Sequence, residues 1–133
     1  MGAYRVARLK TEVDDQAHNF GFTEDEFELR MARVPLECSD CGISYARIGP
    51  GFRVTAGHAH RRQEEVYVLV NGSVRVKVGD DVVQLDEPWT AIRIAPETVR
   101  AVEGGPEGAE LLFVGAPNTG PGDGINTENW WVD

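Results

Sequence analysis

The sequence predicts an all-β domain, built as an antiparallel sandwich or barrel. Three observations lead there. From Ile43 onward, apolar runs of strand length recur between turn signals every 8 to 12 residues, the rhythm of antiparallel sheets rather than of βαβ units. Val74, Val76 and Val78 alternate with Arg75 and Lys77, and a period of two sends successive side chains to opposite faces of a strand. Gly49-Pro50-Gly51, Gly79-Asp80-Asp81, Glu87-Pro88, Ala95-Pro96 and Gly104-Gly105-Pro106 cut the runs at intervals, because glycine supplies left-handed backbone and proline removes a ladder donor.

Taken in order, residues 1–39 read as an N-terminal arm. Tyr4, Val6 and Leu9 suggest a short strand or an extended arm, and residues 13–28 are acidic and irregular. Thr23 followed by Glu26 has the form of a capping box, which predicts a short helical turn around 24–30. Leu29 to Val34 reads as a short strand stopped by Pro35. The barrel is expected over residues 40–115, with strands at Ile43–Ile48, Phe52–Thr55, Val66–Val70, Ser73–Val78, Val82–Leu85, Trp89–Ala95, Val99–Val102 and Glu110–Gly115. Asn71-Gly72 between two of these predicts a tight type I′ hairpin, since both central positions of that turn need φ > 0. Residues 116–133 are rich in Gly, Pro, Asn and Asp and form a loose tail ending in Trp130-Trp131-Val132. Two adjacent tryptophans, each able to bury about 150 Å² or more, predict that the tail packs on the barrel or on a partner subunit.

Composition narrows the function. A chain of 133 residues holds one domain with a modest core, and 41% hydrophobic with 26% charged residues is an ordinary globular balance. A net charge of −9 disfavours nucleic acid and anionic membrane, which both call for a basic face. No apolar run approaches the ~20 residues of a membrane span, and MGAYRVARLK has neither a secretory core nor a myristoylation signal, so a cytoplasmic protein is expected. Cys38 and Cys41 form a lone CxxC. A structural zinc would need a second pair of ligands, so two unpaired thiols are the expectation. No Ser/His/Asp set, phosphate-binding glycine loop or basic patch occurs.

The chemistry-bearing stretch is residues 51–78, GFRVTAGHAHRRQEEVYVLVNGSVRVKV. His58 and His60 lie two apart, so a strand would place both imidazoles on one face. Glu64 and Glu65 follow and can bring a carboxylate to the pair. Such a cluster is either a solvated polar face or a site for zinc, iron, manganese or nickel, which two imidazoles and one carboxylate suit.

This stretch resembles the first motif of the cupin superfamily. His58-x-His60-xxxx-Glu65-xxxxxx-Gly72 matches its spacing, with the leading glycine one residue early at Gly51. The resemblance implies a double-stranded β-helix, or jelly-roll, barrel of the conserved-barrel (cupin 2) type, with His58, His60 and Glu65 as metal ligands. The second cupin motif ordinarily adds a histidine after a proline turn. WTAIRIAPETVRAV sets Ala95-Pro96-Glu97 at that turn and Arg100 at the histidine's place. QEEVYV, PWTAIRIAPETVRAV and GPEGAELLFVGAP look like small single-domain bacterial cupins of unassigned activity. Either Arg100 pairs with Glu65 or Glu64 and fills the vacated metal position, or the three ligands keep a metal and Arg100 holds an anionic substrate, with Gln63 as a further polar contact. Tyr45, Arg47, Tyr67 and Trp89 are candidates to line the barrel mouth.

Three functions follow as expectations. One is a small-molecule-binding cupin with a three-ligand divalent-metal site acting on a small organic acid by oxygenation, isomerisation or decarboxylation. Another is a metal-free binding, sensor or accessory module in which Arg100 holds an anionic ligand. The last is a scaffold whose barrel serves dimerisation. A homodimer is expected in each case, because open jelly rolls have edge strands to cover and cupins commonly pair.

Overall fold

The computed structural model describes residues 2–119, 123–128 and 130–132. Among them lie eight strands: β1 (Phe27–Met31), β2 (Gly42–Ile48), β3 (Gly57–His60), β4 (Glu64–Val78), β5 (Asp81–Leu85), β6 (Ala91–Ile94), β7 (Arg100–Ala116) and β8 (Gly124–Thr127). Every pairing is antiparallel. One curled sheet runs β1-β2-β7-β3-β8, and β4 joins it by pairing with β5, β6 and β7. The all-β jelly-roll expectation is met.

Two long strands hold the barrel together. β4 and β7 pair from Glu64 with Ala116 to Val78 with Arg100. The expected hairpin at Asn71-Gly72 is absent: β4 passes straight through it. The register instead steps between Leu69 and Asn71 and again between Gly72 and Val74. Glycine at 72 is still required, for a different reason. Its φ is 79°, and a Cβ there would lie 2.1 Å from the carbonyl oxygen of Gly108 on β7. Residues buried inside the barrel are odd before the step, Tyr67 and Leu69, and even after it, Val74 and Val76. A bulge inserts one residue and so flips the face that each later side chain occupies. The same irregularity absorbs Gly104-Gly105-Pro106, which was expected to end a strand; the expected strands 99–102 and 110–115 are one, β7.

Other local expectations shift similarly. The Thr23–Glu26 box forms, with the Thr23 N–H donating to Glu26 Oε1 at 2.9 Å. It closes one turn rather than a helix, because Phe27 already enters β1. A 3-10 turn, Ala17–Phe20, stands in the segment expected to be irregular. Strand β6 starts at Ala91, two residues later than expected; Trp89 has φ 69° and belongs to the preceding turn. Tyr4 and Val6 lie in no strand and are each 81% exposed. Cys38 and Cys41 form no disulfide with each other.

The core fills the barrel with Ile48, Tyr67, Leu69, Val74, Val76, Ile94 and Leu111, joined by Phe27, Ala46 and Val102. The inward face of β4 runs from Leu69 through Tyr67 to Glu65, which leads from an apolar interior to a carboxylate.

Candidate functional site

Strand β3 carries both histidines. Its burial alternates, with Gly57 and Ala59 buried on one side and His58 and His60 half-buried on the other. The two imidazole rings are 5.2 Å apart and nearly perpendicular. Gly57 is needed for packing: a Cβ there would come within 2.7 Å of Val99 Cγ1 and 2.8 Å of the Trp130 ring. The backbone of β3 is thereby pressed between the barrel and the C-terminal segment.

Glu65 brings the carboxylate. Its Oε1 is 3.4 Å from His58 Nε2 and 3.4 Å from His60 Nε2. One donor atom from each of the three residues fits within 4.8 Å. Metal bonds of ~2.0–2.1 Å in a tetrahedron give ligand-to-ligand edges of about 3.4 Å. Both ring nitrogens of His60 are buried and lack a hydrogen-bond partner, which is unusual for buried polar atoms. The donor set and the orphaned nitrogens fit a borderline divalent cation. Burial alone would raise the Glu65 carboxyl; the neighbouring imidazoles of His58 and His60 outweigh it and hold the group well below the usual carboxylate range. Glu64, the other carboxylate, points to the rim and pairs with Arg93 at 3.1 Å.

Arg100 faces the same cluster. It bridges β3 and β4, paired with His58 on one side and Val78 on the other. Its side chain is 0% exposed. Nη2 donates to the Ala95 carbonyl at 3.1 Å and Nη1 lies 3.8 Å from Glu65 Oε1. Nε and Nη1 have no hydrogen-bond partner. Tyr67 completes the surround, its hydroxyl 3.4 Å from Glu65 Oε1 and its ring 4.3 Å from that of Phe113. Burial, then the Glu65 charge, pushes the Tyr67 phenol well above its ordinary range.

The remaining expected residues lie elsewhere. Gln63 packs over Gly115 and its Nε2 donates to the Pro117 carbonyl at 3.4 Å. Tyr45 donates to Glu110 at 2.5 Å and Arg47 pairs with Glu28 at 3.1 Å; both project from the opposite side of β2 to the core residues Ala46 and Ile48. Trp89 is 70% exposed. One residue outside the expected set does reach the site: Asp123 Oδ2 is 3.2 Å from His60 Nδ1. It sits in a segment of Gly, Pro and Asn without periodicity, so no pattern marks it. Burial opposes its ionisation, and the N–H donors of Gln63 and Arg62 with the Thr119 hydroxyl more than offset that, holding it low.

No protein-family profile matches the chain, and no curated protein matches it. Solved structures do. A conserved protein with a double-stranded β-helix domain from Klebsiella pneumoniae superposes with a TM-score of 0.70 at 20% identity, over 93% of this chain and 97% of that one. A cupin protein from Bacteroides fragilis gives 0.68 at 18% identity, over 100% and 98%. A variant of Pac13 from Streptomyces, solved with uridine, gives 0.74 at 14% identity, over 97% and 93%; Pac13 is described as a nucleoside dehydratase.

Proposed function

We propose, from the premise that this chain is a cupin in fold, that its barrel binds one divalent cation through His58, His60 and Glu65 and uses Arg100 to hold the carboxylate of a small organic acid beside it. The observation that carries this reading is the buried guanidinium. Arg100 keeps two nitrogens, Nε and Nη1, buried without a hydrogen-bond partner next to three converging ligand atoms, and an unsatisfied buried donor costs about 1–3 kcal/mol, more when charged. A carboxylate is the acceptor that a guanidinium favours, and one placed at the Nη1 end takes a donor that the protein leaves without a partner.

Charge supports the same arrangement. Glu65 and Arg100 cancel and Asp123 adds one negative charge beside His60, so a divalent cation would leave the cluster at about +1, and an anionic ligand offsets that. Without the anion, a guanidinium ~5 Å from the cation costs several kcal/mol at an effective ε near 20. When bound, the cation would supply Lewis-acid polarisation of the ligand or an activated water, which suits oxygenation, isomerisation or decarboxylation. Glu65 stays ionised under the two imidazoles, Tyr67 presents a neutral hydroxyl to it, and the Tyr67–Phe113 pair keeps that wall apolar.

A second reading has its own observation. The 3.8 Å approach of Arg100 to Glu65 already neutralises the cluster, as a metal-free receptor for an organic anion would need. The test is elemental analysis after reconstitution with zinc, iron, manganese or nickel, followed by calorimetric titration with small carboxylates. Near-stoichiometric metal that strengthens carboxylate binding supports the first reading. Substoichiometric metal with unchanged carboxylate binding overturns it in favour of the second.

A further inference from the structure

The strand that carries both histidines is held mainly by the C-terminal segment. Among the described residues, β3 meets β7 at one bridge, His58 with Arg100, but meets β8 along its whole length, from Gly57 with Thr127 to His60 with Gly124. Asp123 stands just before β8 and gathers the chain that leaves His60. Its carbonyl accepts the Arg61 N–H at 3.0 Å, Oδ1 accepts the Arg62 N–H at 3.0 Å and Oδ2 accepts the Gln63 N–H at 3.2 Å. The side chain is only 7% exposed.

His60 lies between two carboxylates, with Nε2 3.4 Å from Glu65 Oε1 and Nδ1 3.2 Å from Asp123 Oδ2. A neutral imidazole has one N–H and one lone pair. A cation taken by Nε2 therefore requires the proton on Nδ1, and a carboxylate there fixes both the tautomer and the ring orientation. Neither nitrogen meets hydrogen-bond geometry in the structure, and each faces one carboxylate oxygen.

We propose that Asp123 is a positioning residue of the candidate metal centre: its carboxylate accepts a hydrogen bond from the His60 Nδ1–H, keeps the proton on that nitrogen and so presents the Nε2 lone pair to the cation. This rests on the metal reading above. The test uses the full-length chain and three proteins: the parent, Asp123→Asn and Trp131→Phe. Asparagine keeps one acceptor oxygen for the backbone of residues 62 and 63. Trp131→Phe weakens docking of the tail, by removing the bond from Trp131 Nε1 to the Val54 carbonyl, without touching His60. Zinc affinity is measured by chelator competition, and the tautomer of His60 in the zinc-loaded protein by nitrogen-15 NMR. Asp123→Asn should lose about 10- to 100-fold in zinc affinity and the single Nδ1–H signature, while Trp131→Phe lowers the melting temperature and leaves affinity within about twofold of the parent. Unchanged zinc affinity in Asp123→Asn, or an equal loss in Trp131→Phe, overturns the positioning role alone. A parent that binds no zinc, iron, manganese or nickel overturns the metal reading, and this proposal with it.

Discussion

Arg100 is a guanidinium entirely out of water with an incomplete set of partners. Its charge faces Glu65 at 3.8 Å, but buried donors left without a hydrogen bond are expensive, and the proposed carboxylate ligand would relieve that cost. Arg100→Gln should weaken binding of a small carboxylate at least tenfold and leave metal binding equal or tighter, because the opposing charge is gone; paired metal and carboxylate titrations check both. Glu110 makes a different residue-scale prediction. Its carboxyl is held below the ordinary value, first by the Tyr45 hydroxyl and then by Lys10, which approaches it at 2.9 Å from the N-terminal arm. A depressed carboxylate stabilises the fold above its unfolded pKa, and that contribution disappears as pH falls through the folded value. The urea midpoint should therefore fall between pH 7 and pH 3, and Glu110→Gln should show a shallower pH dependence than the parent.

At the scale of elements, the bend in β4 decides which side chains meet. Asn71-Gly72 carries a strong hairpin signal, and the positive φ that it encodes is present at Gly72. What becomes of that φ depends on what lies opposite. Here β7 runs past with Gly108, also at positive φ, and the two backbones approach too closely for a side chain. The step lets one strand bury Tyr67 and Leu69 in one half and Val74 and Val76 in the other. Gly72→Ala combines left-handed strain with a clash against the Gly108 carbonyl, and should cost about 2–3 kcal/mol or more. Gly51→Ala is the comparison: its φ is 66° but nothing lies within 4 Å, so the cost should stay near 1–2 kcal/mol. Urea denaturation of the two variants separates the terms.

At the scale of the whole molecule, a cation bound at the proposed site would couple metal to stability, because the site joins β3, β4 and β7 and the cation would bind the folded chain in preference to the unfolded one. At a metal concentration of about 100 Kd the gain is about 2.7 kcal/mol, which should raise the melting temperature by roughly 10 °C; a shift of under a degree with every candidate metal would count against a resident cation. The arm also bears on assembly. Tyr4 and Val6 are exposed, and β1 pairs with β2 alone among the described residues. Such an edge and such an arm are expected to be covered in a homodimer, and sedimentation equilibrium should give twice the 14.6 kDa chain mass.

The sequence by itself determined the β class, most strand positions and the shared face of His58 and His60, because a period of two and the choice of turn residues are local properties. It also marked Glu65 and Arg100, through the spacing of a resemblance. Tertiary structure decided the rest. Whether Gly72 turns the chain or bends it depends on a strand more than thirty residues away. Gln63 was drawn to Gly115 and Pro117, and Asp123 to His60, by packing that leaves no periodic trace in either segment. Contacts between distant parts of a chain carry no signature in local pattern, and it is such contacts that complete this site.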